Sequence, residues 1–374
     1  MSIAVKIIRI LKVLAINMAS FALLLVLVNW ACGLYLKRAA DVKREKLPNY
    51  ANDYAHAEKV FYDYNRVQHQ YEPFVGWKTL PYKGATLNIS TDGRRTHPAP
   101  ANQKEKSVHF FGGSTMWGEG SDDEHTIPAL FNERNPQYDV YNHAQLAYNT
   151  RQELDALISL YAVDTRPDIV VFYDGVNDAA FLCPKDIKQL PAHRLVPMYR
   201  EKLYVGKMAF VKEIAAKIFV ENTMKVIHKF TYKPTPDNSP YDCLSNPGKA
   251  EQIASMMMKN WEMAHEIVTN RGGAFIAVLQ PAAFVGKPRT EHLQLDEELG
   301  KNFREIYKRI QQKIAERGHP WIVDLSDRFN GDDYIYIDFC HVSPNGNEII
   351  AREISNIIGN LNKTNDVSLL ALHP

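Results

Sequence analysis

The sequence predicts a three-layer α/β/α domain on a five-stranded parallel sheet, preceded by one membrane-crossing helix. Three observations predict it. From Val13 to Leu36 the chain carries no charged residue. From Ser107 onward, short apolar runs alternate with stretches of helical spacing, the pattern of a parallel sheet covered on both faces. The polar residues best suited to chemistry fall just after those apolar runs, where open parallel sheets bind ligands.

The chain has 374 residues, of which 45% are hydrophobic and 23% charged, so it has ample material for a large core. A formal net charge of +1 gives no footprint for a nucleic-acid partner. There is no internal repeat and no low-complexity tract.

Residues 1–12 form a basic tail with Lys6, Arg9 and Lys12. Residues 13–36 follow as the anchor, interrupted only by Asn17, Ser20 and Asn29. A helix needs roughly 20 apolar residues to cross a bilayer, and this run is long enough. It is longer than a signal-peptide core, and Asn29-Trp30 before Ala31-Cys32-Gly33 disfavours cleavage or lipid attachment. Counting Lys and Arg on the two flanks favours a cytoplasmic C-terminal side, but a large domain translocates largely regardless of charge. The basic tail reads as a signal-anchor, and an external domain is expected. Cys183 and Cys243 can pair if that compartment is oxidising, leaving Cys340 free; three unpaired cysteines fit a reduced compartment equally well.

Residues 37–104 read as a juxtamembrane helix within 41–69, then loops and small strands punctuated by Pro73, Gly76, Pro81, Gly84 and Gly93. The main domain spans 105–361. Its strands are expected at SVHFFGG (107–113), YDVYNHA (138–144), DIVVFYDG (168–175), GAFIAVLQP (273–281) and PWIVDLSD (320–327). Helical spacing marks 152–162, 299–317 and a last helix from Pro344 to about Leu361. A basic, then proline-rich insertion at 181–246 breaks the rhythm; it is either a helical cap over the site or a surface excursion. Residues 362–374 are a tail.

Ser114 follows the first strand in FFGGSTMWG, Asn142–Ala147 the second, Gly175-Val176-Asn177-Asp178 the third, and Asp338-Phe339-Cys340-His341 the fifth. That set meets the needs of acyl transfer. A serine hydroxyl needs a base, here His341, and the imidazole needs a carboxylate to fix its tautomer, here Asp338. The oxyanion needs donors: the backbone N–H of Ser114, that of Ala147, and the Asn177 amide.

These blocks resemble those of the SGNH hydrolases, also called the GDSL family. GGST at 112–115 is similar to their first block, GVND at 175–178 to their third, and DFCH at 338–341, followed by VSPNG, to their last, in order across residues 105 to 361. The resemblance implies a flavodoxin-like three-layer fold, a serine nucleophile at Ser114, Asp338 and His341 as its partners, and ester substrates. In the second block the family's glycine is replaced, with Ala147 at the matching position in NHAQLAYNT. If that glycine needs positive φ, alanine carries strain there.

Other features read as structural. Asp178 is expected to support its loop rather than act. Cys340 with His341 lacks a second such pair for a zinc site, and no metal or cofactor is expected. The glycines near Ser114 lack the lysine of a phosphate loop. Arg94 and Arg95 read as a solvated turn before an anion site, and Gln280 as a pocket residue at most. The function expected is a membrane-anchored serine esterase. Its best substrate class, by resemblance, is O-acetyl esters on cell-surface carbohydrate; lipid or thioester substrates and O-acyl transfer are alternatives. A catalytically silent envelope scaffold is the reading of another class.

Overall fold

All five expected apolar runs form one sheet in the computed structural model of the chain. The structure describes residues 3–38, 43–98, 104–188, 190, 193, 195, 207–231 and 239–370. The strands are β1 (Lys106–Gly112), β2 (Tyr138–Asn142), β3 (Ile169–Asp174), β4 (Ala274–Leu279) and β5 (Ile322–Asp324), all parallel, in the order β2-β1-β3-β4-β5. The topological switch point of that order lies between β1 and β3. Burial explains the composition. β3 is the middle strand, every one of its six residues is buried, and its sequence IVVFYD is almost continuously apolar.

Alternate residues feed two cores. Phe110, Val171 and Ile276 pack with Trp117, Phe131 and Ile350, beneath α4 (Ile127–Arg134) and α11 (Pro344–Leu370). Phe111, Phe172 and Phe275 pack with Leu157, Trp261 and Phe303, which belong to α5 (Thr150–Ala162), α9 (Pro247–Thr269) and α10 (Glu297–Arg317). The sequence reading left α9 unassigned, although Ile253, Met257, Trp261, Ala264 and Val268 recur at helical spacing and all are buried. Asn246 caps this helix, accepting from the Lys249 N–H, and Pro247 starts it.

The expected helix within 41–69 is shorter. Short 3₁₀ turns occupy Arg44–Lys46 and Pro48–Tyr50, and α2 runs only over Tyr54–Tyr64, capped by Asp53. Pro48 prevents one continuous helix. Two small antiparallel ladders follow, His69–Gln70 with Lys78–Thr79 and Tyr82–Lys83 with Asn88–Ile89.

The chain divides into two units, 44–200 with 239–374, and 1–43 with 201–238. The smaller holds α1 (Ile3–Arg38), α7 (Lys207–Phe219) and α8 (Glu221–Thr231). α1 is long and apolar enough to cross a membrane. Within this unit α7 and α8, from the middle of the insertion, pack on α1. Its stem is closed where Cys183 is disulfide-bonded to Cys243.

Candidate active site

β1 ends in Gly112-Gly113, and Ser114 opens a single helical turn, α3 (Ser114–Trp117). Gly113 is required by a close approach. A Cβ there would lie 2.1 Å from Asn177 Nδ2 and 3.2 Å from the Tyr148 carbonyl oxygen, so any larger residue would displace the Asn177 amide from beside the serine. β3 ends at Asp174, and Gly175, at φ 125°, turns the chain into α6 (Val176–Leu182), which carries Asn177 in its first turn.

The Asp338–His341 segment folds as a tight loop. Asp338 Oδ1 accepts the Cys340 and His341 N–H groups at 2.9 and 2.8 Å. Its Oδ2 lies 2.7 Å from His341 Nδ1. His341 Nε2 lies 2.6 Å from Ser114 Oγ. A carboxylate on Nδ1 assigns the proton to that nitrogen and leaves Nε2 to accept from the serine hydroxyl. Residues separated by 227 positions thus meet in one hydrogen-bonded line.

Two further side chains, which the sequence reading missed, complete this cluster. Glu119 is 7% exposed, and its Oε2 lies 3.1 Å from His341 Nε2. Arg44 Nη1 donates to Glu119 Oε1 at 2.7 Å, while Nη2 lies 3.1 Å from Asp338 Oδ2. The Tyr64 hydroxyl also donates to Glu119. The signal for Glu119 was its setting in Gly118-Glu119-Gly120. Both glycines take positive φ, 99° and 91°, and they fold the carboxylate back towards the serine's helical turn. Nothing in the sequence marks Arg44, which comes from the far end of the chain.

The electrostatics follow from this packing. Burial alone would lower the His341 pKa; the facing charges of Asp338 and Glu119, with the hydrogen bond to Asp338, outweigh it and push the pKa well above the usual histidine range. Burial works against ionising Asp338, but the charge and hydrogen bond of His341 and the Arg44 guanidinium hold its pKa below the usual carboxylate range. Glu119, also opposed by burial, is held down at about 2 by His341 and Arg44. Burial pushes the Cys340 thiol up to about 11. It is therefore a thiol at neutral pH, a poor starting point for a metal ligand.

The three expected oxyanion donors adjoin one another. Asn177 Nδ2 donates one hydrogen to the Tyr148 carbonyl at 2.6 Å, which leaves its second hydrogen free of that bond. Ala147 sits at φ 64°, the left-handed region. Alanine there costs roughly 1–2 kcal/mol, so the strain expected for this departure is present. Its neighbours hold it: the Ala147 carbonyl accepts from His193 Nε2 at 2.9 Å, and the Leu146 carbonyl from Trp77 Nε1 at 2.8 Å. Burial lowers the His193 pKa to about 4, so the ring is neutral at pH 7, and the Leu195 N–H on Nδ1 assigns its proton to Nε2.

The remaining candidates separate. Asp178 accepts from both the N–H and hydroxyl of Thr150, a structural position. Arg95 is no solvated turn. It is 2% exposed, pairs with Asp123, and donates to the Gly118 and Ser121 carbonyls, fixing the turn after Ser114. Arg94 pairs with Asp92. Gln280 Oε1 accepts from Thr115 Oγ1 at 3.4 Å, next to the serine. A separate cavity, lined by residues including Lys78, Arg94, Tyr141 and His143, includes neither Ser114 nor His341.

No family model matches the chain, and no curated protein matches it. Among solved structures it is similar to a carbohydrate acetylesterase from Sinorhizobium meliloti, at 14% identity and TM-score 0.39, over 69% of this chain and 100% of that one. It is similar to a member of the lipolytic protein G-D-S-L family from Veillonella parvula, at 10% identity and TM-score 0.37, over 66% and 94% of the two chains. A GDSL-like lipase from Bacteroides thetaiotaomicron is similar at 14% identity and TM-score 0.36, over 69% and 89%.

Proposed function

We propose that the chain is a membrane-anchored serine esterase. The observation that carries this reading is the line from Ser114 Oγ through His341 to Asp338, with contacts of 2.6 and 2.7 Å. In this reading His341 Nε2 takes the hydroxyl proton as Ser114 attacks an ester carbonyl. Asp338 holds the imidazole and stabilises the imidazolium. The N–H groups of Ser114 and Ala147 and the Asn177 amide receive the oxyanion. His341 returns its proton to the leaving alcohol, then activates the water that releases the acid. The substrates proposed are O-acetyl esters of cell-surface carbohydrate, an assignment supported by the sequence resemblance and by an anchor that would hold the site beside the envelope. α1 crosses the membrane and the larger unit lies on the external side, which the Cys183–Cys243 disulfide supports.

A fluorophosphonate probe tests the site. The wild type is expected to label, while Ser114→Ala and His341→Ala are expected to lose labelling. A folded wild type that stays unlabelled sinks the esterase reading and returns the silent scaffold.

A further inference from the structure

Asn29, a polar interruption of the apolar run, is 3% exposed and makes an unusual set of contacts. Its Nδ2 donates to the carbonyls of Lys217 and Ile218, at 2.8 and 3.0 Å. Its Oδ1 accepts the N–H groups of Asn222 and Thr223, at 2.8 and 3.2 Å. One side chain on α1 therefore satisfies carbonyls at the end of α7 and N–H groups at the start of α8, groups a helix leaves without internal partners. Gly33, one turn further along α1, lets α8 approach: a Cβ there would lie 2.8 Å from Asn222 Nδ2. The rings of Tyr35 and Phe230 meet at 6.0 Å.

The two helices held this way are amphipathic. On α8, Glu221, Lys225 and Lys229 recur every four residues on one side, with Lys225 paired to Glu221 at 2.6 Å. Val226 is partly covered on the other side, where Met224, Ile227 and Phe230 are exposed at 58, 48 and 68%. On α7, Val211, Ile214 and Ile218 are exposed likewise. Residues 207–231 hold five lysines against two glutamates.

We propose that α7 and α8 lie in the headgroup–acyl boundary of the bilayer that α1 crosses, with anionic lipid against their lysines. This rests on the anchor reading. The apolar arcs adjoin a helix whose own apolar side chains, such as Leu23, are exposed, so one continuous lipid surface covers both. Depth agrees. Asn29 lies seven residues before Leu36, about 10 Å along the helix. Interfacial helices bury their apolar face by about 5–10 Å, and basic polar faces favour anionic lipid. At that depth the ends of α7 and α8 need protein partners, which Asn29 supplies.

The test uses the full chain in vesicles of phosphatidylcholine with phosphatidylglycerol, in a Cys32→Ser background. A polarity-sensitive fluorophore is placed in turn at Leu23→Cys, Met224→Cys, Ile227→Cys and Lys225→Cys. Lipid-borne quenchers are expected to quench positions 23, 224 and 227, and aqueous iodide to quench 225. Asn29→Leu is expected to lose lipid quenching at 224 and 227 while keeping it at 23. Quenching at 23 with iodide access at 224 and 227 overturns the interfacial hairpin alone. Quenching at 23 with 224 and 227 shielded from both quenchers also overturns it, and assigns a second protein copy to that face. Loss of lipid quenching at 23 overturns the anchor and this proposal together.

Discussion

At the scale of single residues, the site separates what chemistry demands from what packing adds. That Ser114, Asn177, Asp338 and His341 would meet was legible because each proposed role needs a particular functional group at a strand's end. Glu119 and Arg44 were not, because their role depends on contacts that only the folded chain creates. Asn177→Ala removes one proposed oxyanion donor and is expected to lower turnover about 10²–10³-fold; unchanged turnover with a fluorogenic acetyl ester would remove it from the site. Glu119 bears on the proposed base. In that role His341 is competent only when neutral, so activity is expected to rise with pH through its raised pKa. Glu119 lies 3.1 Å from Nε2 and adds to that rise. Glu119→Gln is expected to move the acid limb of kcat/KM to lower pH by about 1–3 units. A purely structural role would lower activity evenly across pH, and a fixed limb rejects the assignment.

Secondary elements are joined beneath the site by acidic groups. Glu153 on α5, Asp174 at the end of β3 and Asp178 on α6 are all buried. Thr150 donates to Asp178 at 2.7 Å, and the Trp261 indole on α9 donates to Asp174 at 2.7 Å. Burial raises the Glu153 pKa well above the ordinary range, burial with the nearby Asp178 charge raises Asp174 to about 7, and burial raises Asp178 to about 6. Raised carboxylates hold protons in the folded state that the unfolded chain releases near pH 4. Their contribution is therefore fully present below that pH and is lost as pH rises through the folded values. Glu153→Gln is expected to flatten the fall of Tm between pH 5 and 8, recovering on the order of 1–3 kcal/mol at the alkaline end. An unaltered slope would show that Glu153 carries no extra proton. The strands were legible for a related reason. Runs such as IVVFYD are apolar because both faces are covered, and burial of that kind is written in composition. α9 shows the limit: its spacing was readable, but the insertion beside it hid where the regular pattern resumed. The packing of α7 and α8 on α1 depends on Asn29 meeting two helix ends, which spacing along the chain does not encode.

Across the whole molecule, the insertion leaves the larger unit and returns at one covalent point. Cys183 follows α6, Cys243 precedes α9, and the disulfide between them closes a separation of 60 residues. Closing a loop of that length constrains the unfolded chain by roughly 4 kcal/mol in the chain-entropy model. Bringing both ends of the insertion together also limits where the segment holding α7 and α8 can reach, whatever lipid surface those helices meet. Such a bond persists in an oxidising compartment and is rare in a reducing one, so its state in cells reports the side on which the larger unit lies. The free cysteines are Cys32 and Cys340. The full chain, extracted from its own membranes, denatured and alkylated at once, is expected to take up two labels, rising to four after reduction. Two labels support the external placement together with the disulfide. Four labels before reduction would place the domain in a reducing compartment and overturn the proposed side of the membrane, leaving the geometry at Ser114 untouched.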